Sequence, residues 1–175
     1  TIPSSVTSIG DEVFRNATSL GSVTFEEGIA LESIGSGAFR NATALASITL
    51  PSSVTAIGDD AFYGASALTS ITIPSSVTAI GNNAFNNATS LTSITFSDGI
   101  ALGSIGNNAF YNATALTSIT IPSSVTAIGN YAFYNATSLS SVTFEAGIAL
   151  DSIGSGAFKR ATSLASITIP NGVTS

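Results

Sequence analysis

The residue types in this chain restrict the chemistry that it can perform. Its 175 residues include no Cys, His, Met or Trp. There is consequently no disulfide, no thiolate or imidazole ligand for zinc, no thiol nucleophile and no imidazole base for a serine. Among the acids, Glu26, Glu27 and Glu32, or Asp59 and Asp60, could hold calcium weakly, but their spacing matches no EF-hand or nonapeptide repeat. We expect no catalytic, cofactor-binding or metal-binding residues and interpret these acids as solvated loop charges.

Asn-Ala-Thr triplets are a second chemical signal. Each triplet is a formal acceptor for N-glycosylation. Asn and Thr are also favourable turn and capping residues, which leaves a purely structural interpretation open. The candidate glycosylation sites are Asn16, Asn41, Asn87, Asn112 and Asn135.

Aromatic and basic side chains form a third candidate site, which we call the Tyr/Arg lane. Tyr and Arg are enriched in protein interfaces, so the lane could contact a partner. Scattered surface aromatics also occur without any such role, and this simpler interpretation is favoured. The lane contains Arg15, Arg40, Tyr63, Tyr111, Tyr134 and Lys159, with Asn86 in the remaining repeat.

The charge balance excludes further classes. Ten acids against four bases give a net charge of −6, which argues against a nucleic-acid surface. No apolar run approaches the roughly 18 residues of a membrane span. The chain starts at Thr1 without a charged and then apolar leader, so we expect no targeting segment within it.

An internal repeat positions all of these candidates. A Gly followed four residues later by a Phe recurs seven times, at spacings of 23 or 25 residues. The repeated Phe residues are Phe14, Phe39, Phe62, Phe85, Phe110, Phe133 and Phe158. The pattern predicts one solenoid over residues 1–175, built from seven repeats without distinct capping units. Uncapped ends would suit either a longer array or copies stacked head to tail.

Each repeat contains three segments with different periodicity. The alternation in Ser70–Ile73 predicts a strand with hydroxyls outward and aliphatic side chains inward. Residues 77–80 could form a second, shorter strand. Phe85 and Ala88 are three residues apart, which predicts a helical turn over residues 82–88. The expected fold class is therefore an α/β solenoid, with a parallel β-sheet on one face and short strands or helical turns on the other.

Two kinds of repeat differ where the first strand ends. The short repeats of 23 residues leave this strand through a Pro, which suits a stiff exit where no ladder donor is needed. The long repeats of 25 residues leave through Phe25, Phe96 or Phe144 and carry two additional residues. We interpret the difference as a tolerated variation in loop length.

The outward strand positions form a lattice of hydroxyl groups. Regular Thr arrays on flat β-solenoids resemble the ice-binding faces of some antifreeze proteins. Ser and Thr also keep an exposed strand soluble, which is the simpler interpretation. The lattice contains Ser22, Thr24, Ser47, Thr49, Ser70, Thr72, Ser93, Thr95, Ser118, Thr120, Ser141, Thr143, Ser166 and Thr168.

The repeat consensus resembles a known family. The pattern L-x-S-I-T-I-P-S-S-V-T-A-I-G-x-x-A-F-x-N-A-T, as in residues 116–137, is similar to the BspA-type leucine-rich repeat of bacterial and protist surface proteins. The resemblance covers all 175 residues. It implies a right-handed solenoid with a parallel sheet on its concave face, usually extracellular, often adhesive and not enzymatic. The family commonly has Cys where this chain has Ala17, Ala42, Ala65, Ala88, Ala113, Ala136 and Ala161.

These observations predict an extracellular or cell-surface structural and adhesive module without enzymatic activity. Its partners would be a surface protein, a glycan or further copies of itself, with no nucleic acid and no membrane insertion. One alternative is a module that binds one protein or glycan on the hydroxyl lattice or the Tyr/Arg lane. A second alternative is ice binding through the lattice.

Overall fold

The computed structural model describes all residues from Thr1 to Ser175. The chain winds into a parallel β-solenoid in which successive coils place equivalent residues side by side. The thirteen strands are β1 (Ser8–Ile9), β2 (Ser22–Val23), β3 (Ser33–Ile34), β4 (Ser47–Ile48), β5 (Ala56–Ile57), β6 (Ser70–Ile73), β7 (Ala79–Ile80), β8 (Ser93–Phe96), β9 (Ser104–Ile105), β10 (Ser118–Ile121), β11 (Ala127–Ile128), β12 (Ser141–Phe144) and β13 (Ser152–Ile153).

The odd-numbered strands form one continuous seven-stranded sheet in the order β1-β3-β5-β7-β9-β11-β13. The short second strand predicted within residues 77–80 is confirmed as β7. A Gly follows each of these strands, and Gly81 donates its N–H to the Ile57 carbonyl of the preceding coil at 3.0 Å. The coils approach closely here, because a Cβ on Gly81 would lie 2.6 Å from the backbone nitrogen of Asp59. Only glycine fits this approach.

The even-numbered strands form the opposite face, and they confirm the predicted alternation. In β6 the outward Ser70 and Thr72 are exposed, whereas Ile71 and Ile73 are buried. These strands do not form one sheet, however. They pair only as β2 with β4, β6 with β8 and β10 with β12.

A Pro follows the strand at each interruption of this face. Where a long coil follows a short one, the residue after the strand donates to the preceding coil: Ser97 N–H bonds the Ile73 carbonyl at 3.0 Å, and Glu145 N–H bonds the Ile121 carbonyl at 3.0 Å. A short coil has Pro in that position, and Pro has no N–H to donate. Pairing is absent between β4 and β6 and between β8 and β10, where the following coil has Pro74 or Pro122, whereas β2 and β4 still pair over two residues although the coil of β4 has Pro51.

The predicted helical turn over residues 82–88 is not found, and the structure contains no helix, so the α/β class is not confirmed. Asn83 and Asn87 have left-handed backbone angles of φ 53° and 60°, which a helix cannot include. The N–H groups of Asn83, Phe85 and Asn87 instead bond carbonyls of the next coil at 2.8 Å each. The structure has no helix that is long and apolar enough to cross a membrane.

The core consists of stacked rows of identical side chains. The seven repeated Phe rings stack consecutively with centroids 5.2–5.3 Å apart and planes within 10° of parallel. No polar or charged side chain is buried. One coil cannot bury its own apolar face, so stability depends on contacts between neighbouring coils.

Candidate binding surfaces

The predicted hydroxyl lattice lies on the face formed by the even-numbered strands, which we call the hydroxyl face. All fourteen of its Ser and Thr residues are exposed. Within a strand pair, equivalent side chains are direct neighbours, as are Ser70 with Ser93 and Thr72 with Thr95. Strand pairing thus groups six of the seven coils into three patches, each two coils wide, and Ser166 and Thr168 of the last coil belong to no strand pair.

Four grooves open on the hydroxyl face, each between one coil and the short coil that follows it. One lies between β2 and residues 49–51, and a second between residues 49–50 and 72–74. A third lies between β8 and β10. The fourth and largest lies between β12 and residues 166–170 and has a volume of about 640 Å³. Sequence reasoning missed these grooves, although the Pro positions contain the signal.

The five candidate glycosylation residues belong to a ladder of side-chain amides that runs from coil to coil. Asn112 Nδ2 donates to Asn87 Oδ1 at 2.9 Å, and Asn135 Nδ2 donates to Asn112 Oδ1 at 2.9 Å. Asn41 Nδ2 donates likewise to Asn16 Oδ1. All five residues have φ between 57° and 60°. Asn16 is exposed and the other four are half-buried.

Gly64 and Arg160 occupy the two remaining positions of this ladder, with φ of 69° and 65°. The left-handed conformation costs an ordinary L-residue about 1 kcal/mol, but Asn and Gly adopt it readily. The ladder therefore explains the repeated Asn structurally, and N-glycosylation stays a prediction.

A second ladder was not recognised in the sequence. The side chain that follows the repeated Gly accepts a backbone N–H from the next coil. Asn82 Oδ1 accepts from Asn107 N at 2.9 Å, and Asn107 Oδ1 accepts from Asn130 N at 2.7 Å. Asp59 Oδ1 accepts in the same way from Asn82 N. The signal was the recurrence of Asp or Asn directly after Gly.

The Tyr/Arg lane is brought together on one edge, where its members contact one another. The Arg40 guanidinium lies 4.4 Å from the centroid of the Tyr63 ring and bonds Asp60 at 2.8 Å. The rings of Tyr111 and Tyr134 stack with centroids 4.7 Å apart. Arg40, Tyr63, Tyr111 and Tyr134 thus contact one another within the lane, whereas Lys159 is exposed.

Four of the ten acidic side chains accept a backbone N–H from a neighbouring coil. Glu26 Oε2 accepts from Ser4 N at 2.9 Å, and Glu145 Oε2 accepts from Ser123 N at 2.8 Å. In both cases the acid of a long coil holds the turn that follows Pro in the preceding short coil. No three acids come close enough together to hold a metal ion.

Comparison with solved structures identifies several similar bacterial proteins. A leucine-rich repeat protein of T. pallidum superposes with a TM-score of 0.80 at 26% identity, over 91% of this chain and 72% of that one. One from Bacteroides ovatus has a TM-score of 0.62 at 25% identity, covering 97% of this chain and 48% of that one. The chain therefore spans about half the length of the latter.

A leucine-rich cell surface protein of Faecalibacterium prausnitzii has a TM-score of 0.54 at 25% identity, over 99% of this chain and 67% of that chain. A comparison with curated protein sequences finds no match. The model of the BspA type leucine rich repeat region matches in six copies, over residues 1–102 and 83–175. The chain belongs to the BspA-type leucine-rich repeat family.

Proposed function

We propose that this chain is an extracellular or cell-surface module with a structural and adhesive role, acting through repeated contacts and without catalysis. The observation that carries the proposal is the hydroxyl face, on which fourteen exposed hydroxyl side chains recur from coil to coil. Repeat solenoids use such extended surfaces for binding. The F. prausnitzii protein, which is named as a cell surface protein, supports the location.

The same face favours adhesion over ice binding. A match to an ice lattice needs a flat array in continuous register. Strand pairing on this face is interrupted between β4 and β6 and between β8 and β10, where grooves open, although backbone bonds at the strand entries, such as Thr117 N–H to the Thr92 carbonyl, cross these junctions. Adhesive contacts need no such continuity, because each patch can act alone and several can add through avidity.

A bead-adhesion assay tests the proposal. Beads that carry the chain are expected to adhere to epithelial or bacterial cells, and the free chain should compete. The double variant Thr72→Lys and Thr95→Lys, on the hydroxyl face, should reduce adhesion strongly. The matched control Ala56→Lys and Ala79→Lys places two neighbouring exposed charges on the opposite sheet and should have no effect. Equal adhesion by both variants would reject the hydroxyl face as the contact surface.

A further inference from the structure

Three of the four grooves lie where a long coil is followed by a short one, and we call these the long-to-short grooves. The first is lined by Phe25 and has a volume of about 360 Å³. The second is lined by Phe96, with about 330 Å³, and the third by Phe144, with about 640 Å³. The recurrence of one aromatic residue at each groove distinguishes them from the remaining groove between two short coils.

The long-to-short grooves share a set of three chemical groups. Each is lined by a half-buried Phe at an inward position where a strand ends and by outward Ser or Thr residues. Each is also lined by a glutamate, Glu26 at the first groove and Glu145 at the second and third, and each of these carboxylates bonds the coil before its own. The groove between the two short coils has neither an aromatic residue nor an acid.

From this set we propose that the long-to-short grooves bind a neutral, extended β-1,4-linked glycan, an inference that rests on the proposed binding role and names its ligand. A half-buried Phe offers an apolar surface on which the C–H face of a pyranose can pack. A carboxylate and neighbouring hydroxyls can bond sugar hydroxyls, and bonds to a charged acceptor are the stronger ones. A net charge of −6 disfavours anionic saccharides.

The carboxylate of Glu145 is oriented by the fold before any ligand arrives. Its Oε2 accepts the Ser123 N–H at 2.8 Å, which fixes the side chain between the second and third grooves. The backbone bond therefore limits the rotamer entropy that ligand binding would otherwise cost. The bond holds the carboxylate against the coil of β10, which forms one wall of the second groove.

Spacing along the solenoid selects an extended glycan. The second and third grooves are two coils apart, and successive Phe rings of the core are 5.2–5.3 Å apart. The two grooves are therefore about 10 Å apart, and twice the usual spacing between neighbouring strands gives the same distance. This length matches one disaccharide unit of an extended β-1,4-linked chain, which presents the same edge at every second sugar. Occupancy of both grooves by one chain raises the apparent affinity.

Isothermal titration with cellohexaose, chitohexaose and maltohexaose tests this inference. We expect saturable binding of at least one of the two β-1,4-linked probes and much weaker binding of maltohexaose, whose α-linked chain coils. The Phe96→Ile and Phe144→Ile double variant should weaken binding by about tenfold or more. Ile73 and Ile121 already occupy the paired positions in short coils, so the variant introduces a side chain that this site accommodates.

A matched pair of acid variants completes the test. Glu145→Gln should weaken saccharide binding severalfold, whereas Glu32→Gln, an exposed acid that lines none of the grooves, should leave it unchanged. Absence of binding to all three probes, or binding insensitive to the Phe variants, would overturn the inference. Binding of an extended Thr-Val-Thr-Val peptide alone would overturn it in favour of strand addition. If beads still adhere to cells, only the ligand assignment fails; if adhesion is also absent, the proposed function fails as well.

Discussion

Replacing Asn112 with Ala tests whether the amide ladder stabilises the solenoid. Asn112 donates to Asn87 and accepts from Asn135, both at 2.9 Å, and its φ is 58°. Each lost hydrogen bond removes about 1 kcal/mol, and Ala in the left-handed region adds about 1 kcal/mol of backbone strain. We therefore expect Asn112→Ala to lower the free energy of unfolding by about 3 kcal/mol.

Asn112→Gly is the matched control, because it removes the same two hydrogen bonds without the left-handed strain. Its expected cost is about 2 kcal/mol, so the Ala and Gly variants should differ by about 1 kcal/mol. Urea unfolding followed by circular dichroism measures both values, provided that the m-values agree with that of the parent chain. Equal stabilities of the two variants would refute the strain argument, and a cost below about 0.5 kcal/mol in both would refute the ladder argument.

Three further perturbations have defined outcomes. Phe85→Ala, in the middle of the buried stack, should cost about 3–5 kcal/mol in urea unfolding, whereas Phe14→Ala at the half-buried end should cost clearly less. Equal costs would contradict the stack as the core. Arg160 has a left-handed φ of 65°, and Arg160→Asn places there a residue that adopts this conformation readily and can donate an amide to Asn135. The variant should stabilise the fold by about 1 kcal/mol and therefore raise the midpoint of thermal unfolding. An unchanged or lower midpoint would contradict the expected gain from Asn at position 160. Pro122→Ala supplies the missing N–H, and hydrogen exchange should then show a protected amide at residue 122; rapid exchange there would contradict the missing-donor explanation.

Local pattern and repeat phase were sufficient to predict which side chains face inward. The alternation in residues 70–73 specifies one buried and one exposed side for a strand, and the fixed repeat phase places every equivalent residue on the same side. Stacked Phe rings and an exposed hydroxyl face follow directly. Family membership was also recognisable, because the same motif occurs seven times.

The turn over residues 82–88 shows where local pattern was insufficient. A spacing of three between Phe85 and Ala88 fits one helical turn, but it also fits successive tight turns that bury both residues. The deciding signal was Asn83 and Asn87, since Asn is enriched in left-handed conformations that end a helix. Their N–H groups then bond the next coil, a partner that a single-repeat analysis does not include.

The grooves depend on the order of the repeats rather than on any one of them. Two hydrogen bonds join a long coil to the short coil before it. The residue after the strand of the long coil donates its N–H to the last strand carbonyl of the short coil, as Glu145 does to Ile121. Where that residue is Glu, its carboxylate also accepts an N–H from the turn after Pro, as Glu145 does from Ser123. A short coil that follows a long coil cannot donate the equivalent backbone bond to the long coil, because Pro occupies the donor position. Each long coil thus donates a bond to the coil before it that a short coil after it does not match, even where the strands pair, as β2 and β4 do. The order of long and short repeats therefore specifies where the long-to-short grooves open.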